Sequence, residues 1–125
     1  MNNLETIIKN VKQADGGATI DKNGNFASGK YYASIHPEYS LIVDNAEQVN
    51  SDLIKNYVEK INNVSGGLLD LPNNYIGLWN NPETHKVYFD ISQSFNNKEQ
   101  VKNACLKHSQ IAYFDSEQGK SVKVA

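Results

Sequence analysis

Apolar residues follow two different periods along this chain, and the switches between them divide it into elements. Leu4, Ile7, Ile8 and Val11 recur at the spacing of one helix face, and Asn2 with Glu5 has the spacing of a capping box, Asn standing where Ser or Thr is usual. A helix over about 3–14 is expected, stopped by Gly16-Gly17. Short strands at 18–21 and 25–27 flank Lys22-Asn23-Gly24, because Asn-Gly tolerates the positive φ of a tight hairpin. β-Branched and aromatic runs at 30–35 and 39–44 predict two further strands. His36-Pro37-Glu38 between them reads as a turn, since proline presets φ and cannot donate to a ladder.

Val49, Leu53, Ile54, Tyr57, Val58, Ile61 and Val64 then trace a helical stripe over about 46–64, ended by Gly66-Gly67. Leu68, Leu69 and Leu71 are too many leucines for a solvated loop, so the 68–74 connection is expected to pack down. From 75 to 115 the periods switch in the order strand, strand, helix, strand. Segments 75–79 and 86–92 alternate and are joined by Asn80-Asn81-Pro82-Glu83-Thr84 as a hairpin loop. Within the second, Val87, Phe89 and Ile91 share one face and Tyr88, Asp90 and Ser92 the other. Asn97 with Gln100 offers an N-cap, and Val101, Ala104, Cys105 and His108 lie on one face of the helix that follows. A strand over 111–115, a turn at Glu117-Gln118-Gly119 and a short edge strand over 121–124 complete the chain. Clear helices combined with hairpins specify an α+β domain: a mostly antiparallel sheet with two or three helices packed on one face. At 125 residues, all within a single domain over 1–125, the chain can bury roughly two-thirds of its unfolded surface, which is enough for one core.

Composition narrows the chemistry. Cys105 is the single cysteine, so the chain offers neither an internal disulfide nor a thiolate cage for a metal. The Met1-Asn2-Asn3-Leu4-Glu5 start lacks the basic and apolar regions of a secretion signal, and no apolar run approaches the ~18 residues of a membrane span. A cytoplasmic protein is expected, without membrane contact. All twelve basic residues are Lys, Arg is absent, and Asn occurs seventeen times and Ile ten times, the product of AT-biased codons and hence of a low-GC genome. Without the planar fork of Arg, sequence-specific duplex binding is disfavoured.

Each candidate reactive group competes with a plainer role. Asp21, Asn23 and Asn25 space like the first ligands of a calcium loop, but Phe26 occupies the required glycine position and Tyr32 that of the closing Glu, so a polar hairpin is preferred. His36, His85 and His108 do not fall at metal-ligand spacings. Cys105 and His108 can touch on one helix face as a thiol and base, although a small cysteine on an apolar face most often packs in the core. Asp90 and Asp115 can meet across the sheet as paired carboxylates, although a strand-terminal Asp more often caps the following turn. No catalytic or metal-ligating residue is assigned, and no cofactor is expected. The numerous aromatics can stack single-stranded bases or anchor a protein interface. Because no basic stripe accompanies them, a protein partner is favoured over nucleic acid. Tyr75, Trp79, Tyr88, Asp90, Tyr113 and Asp115 form the candidate partner-binding face, since strand alternation can bring them to one surface.

The string Gly77-Leu78-Trp79, Lys86-Val87-Tyr88-Phe89-Asp90-Ile91-Ser92, Asn97-Lys98-Glu99 with Ala104, then His108-Ser109-Gln110-Ile111-Ala112-Tyr113-Phe114-Asp115 and Gly119-Lys120 resembles an uncharacterised family of small proteins encoded by bacteriophages, prophages and plasmids. The likeness covers about fifty residues, with a fainter echo at 29–35. That family brings no established activity. The resemblance implies a setting: a non-enzymatic accessory protein of a mobile element, acting in the host cytoplasm by binding a host protein. Such a protein can inhibit a defence system of the CRISPR or restriction type. The net charge of −2 is compatible with that role but too small to indicate DNA mimicry. The alternatives are a nucleic-acid-associated accessory protein and, behind it, a small enzyme using Asp90 or Asp115.

Overall fold

The strongest alternation in the chain produces its longest ladder. In the computed structural model, which describes residues 1–118 and 120–124, β4 (Asn74–Asn80) and β5 (Val87–Phe95) pair antiparallel from Asn74↔Gln93 to Asn80↔Val87. Ile76 lies opposite Ile91 and Leu78 opposite Phe89, so every large aliphatic side chain of the hairpin points the same way. Phe89, Ile91 and Val87 are fully buried.

The remaining elements, in chain order, are α1 (Leu4–Lys12), β1 (Gly17–Ile20), β2 (Tyr31–Ser34), β3 (Leu41–Val43), α2 (Ser51–Val64), α3 (Lys98–Lys107), β6 (Ala112–Asp115) and β7 (Lys120–Lys123). The strands form one sheet in the order β1-β4-β5-β2-β6-β7, with β3 also on β5, and all its ladders are antiparallel. The fold is therefore α+β with an antiparallel sheet, as the periodicity predicts. Gly119 lies outside the described residues. No helix among those described is long and apolar enough to cross a membrane.

All three helices cover one face of the sheet. Ile7 and Val11 of α1 and Ile54, Tyr57, Val58 and Ile61 of α2 join Ile20, Ile76, Leu78, Val87, Phe89 and Ile91 in the main core. The Tyr57 and Phe89 rings meet edge to face at 5.2 Å, a geometry aromatic pairs favour. Val101 and Cys105 of α3 pack with Tyr31, Ala33, Ile35 and Tyr113 in a second cluster on the same face. Helix α3 starts where expected, with Asn97 Oδ1 accepting from Gln100 N at 2.8 Å, and α2 is capped in the same way by Asn50, whose Oδ1 accepts from Leu53 N at 2.8 Å. Gly66 and Gly67 follow α2 with φ of 71° and 93°, the left-handed conformation that ends helices.

Tertiary contacts alter several local expectations. The Asn2–Glu5 capping box does not form: Asn3 takes the N-cap position in the left-handed conformation with no side-chain cap bond, and the Asn2 and Asn3 Nδ2 groups donate to Asn25 Oδ1 and Gly24 O in the 21–25 loop. Helix α2 begins at Ser51, with a separate helical turn at Ala46–Gln48 before it. Val64, at its end, is exposed. The expected strand at 25–27 shrinks to an isolated Ile20↔Phe26 bridge, since β1 uses β4 as its partner. Leu69 packs down as expected, whereas Leu71 does not.

The segment containing Pro37 does not reverse the chain. Both β2 and β3 run antiparallel to β5 on the same flank, Ser34 opposite Ser92 and Leu41 opposite Phe89. The helical turn Pro37–Tyr39 is looped out between them, and Tyr57 Oη donates to Tyr39 O at 2.7 Å to hold it. Burial, and secondarily the Asp90 carboxylate, push the Tyr57 phenol well above its ordinary pKa, so it remains a neutral donor.

The two faces of β5 should respond differently to truncation. Phe89→Ala is expected to destabilise the domain by about 3–5 kcal/mol in urea unfolding, whereas Tyr88→Ala on the opposite face should change it by about 1 kcal/mol or less. Comparable losses at both positions would contradict the one-sided core.

Candidate functional site

With the helices on one side, no helix among the described residues covers the other face of the sheet, although the Gly29 segment lies against Tyr32 and Ser94 at one end. Strand register arranges the side chains of that face in rows. Gly17, Trp79, Tyr88 and Ile42 form one, from β1 through β4 and β5 to β3. Thr19, Gly77 and Asp90 form the next, Tyr75, Ser92 and Ser34 a third, and Ser94, Tyr32 and Phe114 a fourth. Residues of five neighbouring strands line one cleft of about 640 Å3, so the face is concave.

The floor of this cleft is small and hydroxylic: Thr19, Ser34, Gly77 and Ser92 line it. Its ends are aromatic. Trp79 is 43% exposed, and its Nε1 donates to Asp15 Oδ1 at 2.8 Å. The Trp79 ring lies 6.0 Å from that of Tyr88 at an interplanar angle of 32°. Beside Tyr88, Ile42 is 55% exposed. At the other end Tyr32 meets Tyr75 edge to face at 6.0 Å, and Phe114 is 41% exposed. Tyr32 itself is buried, and that burial, with a smaller push from Tyr75, raises its phenol against the opposing hydrogen bond with the Gly29 backbone; its O–H stays protonated at neutral pH.

Asp90 is half-buried in the cleft. Its Oδ1 accepts from Ser40 Oγ at 2.7 Å, and its Oδ2 accepts no hydrogen bond from the described residues. The described charged side chains lining the cleft are Asp15 and Asp90, with no Lys or His among them. The arrangement offers carboxylate oxygens, hydroxyls and aromatic faces.

Of the six residues expected on one surface, Tyr75, Trp79, Tyr88 and Asp90 share this face. Tyr113 and Asp115 lie on the opposite one, because Tyr32 pairs with Phe114 and thereby turns Phe114 outward. Tyr113 packs in the core against Tyr31, ring centroids 5.8 Å apart. Asp115 is 1% exposed, and its Oδ1 accepts from the backbone of Glu117 at 3.0 Å and Gln118 at 3.2 Å. It caps a turn, the role preferred for a strand-terminal Asp, and does not pair with Asp90. Ile42, Phe114, Tyr32, Ser34 and Thr19 join the face instead. Inside the run Leu41-Ile42-Val43 nothing in the sequence distinguishes the outward residue, whereas strict alternation from a correctly paired Tyr32 would have marked Phe114.

The other reactive candidates take their plainer roles. Cys105 is buried and its Sγ sits 3.6 Å from Ala112 O, while His108 is exposed at the end of α3. Asp21 Oδ1 accepts from the backbone of Asn23 at 2.8 Å and of Asn25 at 3.0 Å, the bonding of a polar turn. Among the described residues no group of three or more His, Cys, Asp or Glu side chains is placed to hold a metal ion.

Burial pushes the Cys105 thiol above its ordinary pKa and removes it from solvent. In the folded chain, iodoacetamide should therefore label Cys105 only as fast as the domain opens, with full labelling in urea. Labelling of the native protein at the rate of a free thiol would contradict this placement.

Compared with family models, with curated proteins and with solved structures, the chain matches none.

Proposed function

We propose that this chain is a non-enzymatic binding protein that docks a protein partner on the helix-free face of its sheet. The observation that carries the reading is the outward row Ile42, Tyr88 and Trp79, contiguous with a concave cleft. A solvated sheet face normally alternates to polar residues. Here an aliphatic side chain and two aromatics stand side by side on it. Trp and Tyr are the residues that dominate protein interfaces, because they remove much apolar area from water while losing few rotamers.

Charge separates a protein partner from nucleic acid. A strand of phosphates stacking its bases on Trp79 and Tyr88 would place negative charge beside Asp15 and Asp90, with no lysine among the described cleft residues to offset it. The resemblance to mobile-element proteins adds the setting. In it the partner is a host protein and the effect is inhibition of a defence system, of the CRISPR or restriction type, in the host cytoplasm.

Affinity capture from a low-GC bacterial host lysate tests the proposal when run with variants on both sides of the molecule. A stoichiometric protein should be captured by the wild type and by Leu106→Lys on the exposed side of α3. Trp79→Ala and Ile42→Lys should each weaken capture by roughly thirtyfold or more, the effect of an interface anchor. Capture indifferent to Trp79 and Ile42, or recovery of nucleic acid with a steep salt dependence, would overturn it.

A further inference from the structure

The cleft next to the aromatic row has a chemistry of its own. Asp90 stands diagonally across the β4–β5 ladder from Trp79, a separation of about 7–8 Å for such neighbours. Between them the floor is Gly77. Its φ is not in the left-handed region, so the backbone does not require glycine there; what glycine supplies is room. A Cβ at this position would come 3.3 Å from Ser92 Oγ and narrow the floor beside Asp90. Asp15, bonded to the Trp79 indole N–H, adds a second negative charge at the same end. The result is an indole face, a carboxylate with one oxygen accepting no hydrogen bond, serine and threonine hydroxyls as further acceptors, and no cation among the described lining residues.

Building on the protein-docking reading above, we propose that this cleft receives an arginine side chain of the partner. A guanidinium is flat enough to lie against Trp79 and carries donors in its own plane for Asp90 Oδ2 and the Ser92 hydroxyl. Its charge complements the two aspartates, whereas an acidic or phosphorylated segment would be repelled. The chain itself contains no arginine, so this occupant cannot come from a second copy of it.

The test uses the full chain and two short probes, Gly-Arg-Gly and its neutral citrulline counterpart, titrated while amide and indole NMR signals are followed. The arginine peptide should produce saturable shifts at Trp79, Gly77 and Asp90, with an affinity on the order of millimolar for a single side chain. Citrulline should bind at least roughly tenfold more weakly. Asp90→Asn should weaken the arginine peptide by roughly tenfold or more. That variant keeps an oxygen to accept from Ser40, so the fold is preserved. Gly77→Ala, which alters no charge, should weaken it as well by filling the floor. Equal binding of both probes, no binding of either, or indifference to Asp90→Asn would overturn the proposal. Partner capture that depends on Trp79 but not on Asp90 would overturn it while leaving the docking face standing. Arginine binding without any Trp79-dependent capture would instead remove the docking reading and leave the cleft's preference intact.

Discussion

The register of the β4–β5 hairpin is the constraint from which both the core and the candidate site follow. With Leu78 opposite Phe89 and Trp79 opposite Tyr88, one set of side chains goes under the helices and the other goes to solvent. A slip of one residue would exchange the two sets, burying Asp90 and exposing Phe89. The connection between the strands holds that register. Asn81 N donates to Lys86 O at 2.9 Å and His85 N to Asn81 O at 2.8 Å, with His85 in the left-handed region at φ 61°. Asn80, buried at the end of β4, then ties the hairpin to the first helix by donating from Nδ2 to Val11 O at 2.9 Å.

The sheet is consequently one-sided. Burial of Phe89, Ile91, Ile76 and their helical partners stabilises the fold, and the outward row contributes little to it. Ile42 and Trp79 leave apolar surface in water that a partner can cover. The small floor residues, and the Pro37–Tyr39 excursion that places Ser40 against Asp90, shape the space beside them. Stability and recognition thus draw on opposite faces of the same strands, so the outward residues can change with little effect on folding.

Much of this was legible in the sequence, and the exceptions have physical causes. The alternation of 86–92 assigns Tyr88, Asp90 and Ser92 to one face directly; the stripe of α2 with its Gly66-Gly67 stop, and the stripe of α3 with its Asn97 cap, identify those helices, whereas the Asn50 cap of α2 is not read from the pattern. Tyr113 and Asp115 were assigned to the wrong side because a four-residue strand has no orientation until its partner is known, and β2 supplies it through Tyr32↔Phe114. Asn2 with Glu5 has the spacing of a capping box, yet Asn3 takes the N-cap position in the left-handed conformation and the 21–25 loop accepts from both asparagine amides. His36-Pro37-Glu38 reads correctly as a turn, but only the pairing of both flanking strands with β5 shows that it loops out of the sheet without reversing it. Local chemistry is visible in a sequence; long-range pairing decides which side of the sheet that chemistry faces.

The central claim is that this sheet keeps its Ile42–Tyr88–Trp79 row open while the opposite face forms the core. Trp79 is the chain's only tryptophan and stands at the edge of the cleft, so its fluorescence reports on that row alone. Quenching by neutral acrylamide measures its accessibility directly. The account predicts efficient quenching in the native protein, at a substantial fraction of the rate in the urea-unfolded chain. A native tryptophan shielded from acrylamide like a core indole would contradict it.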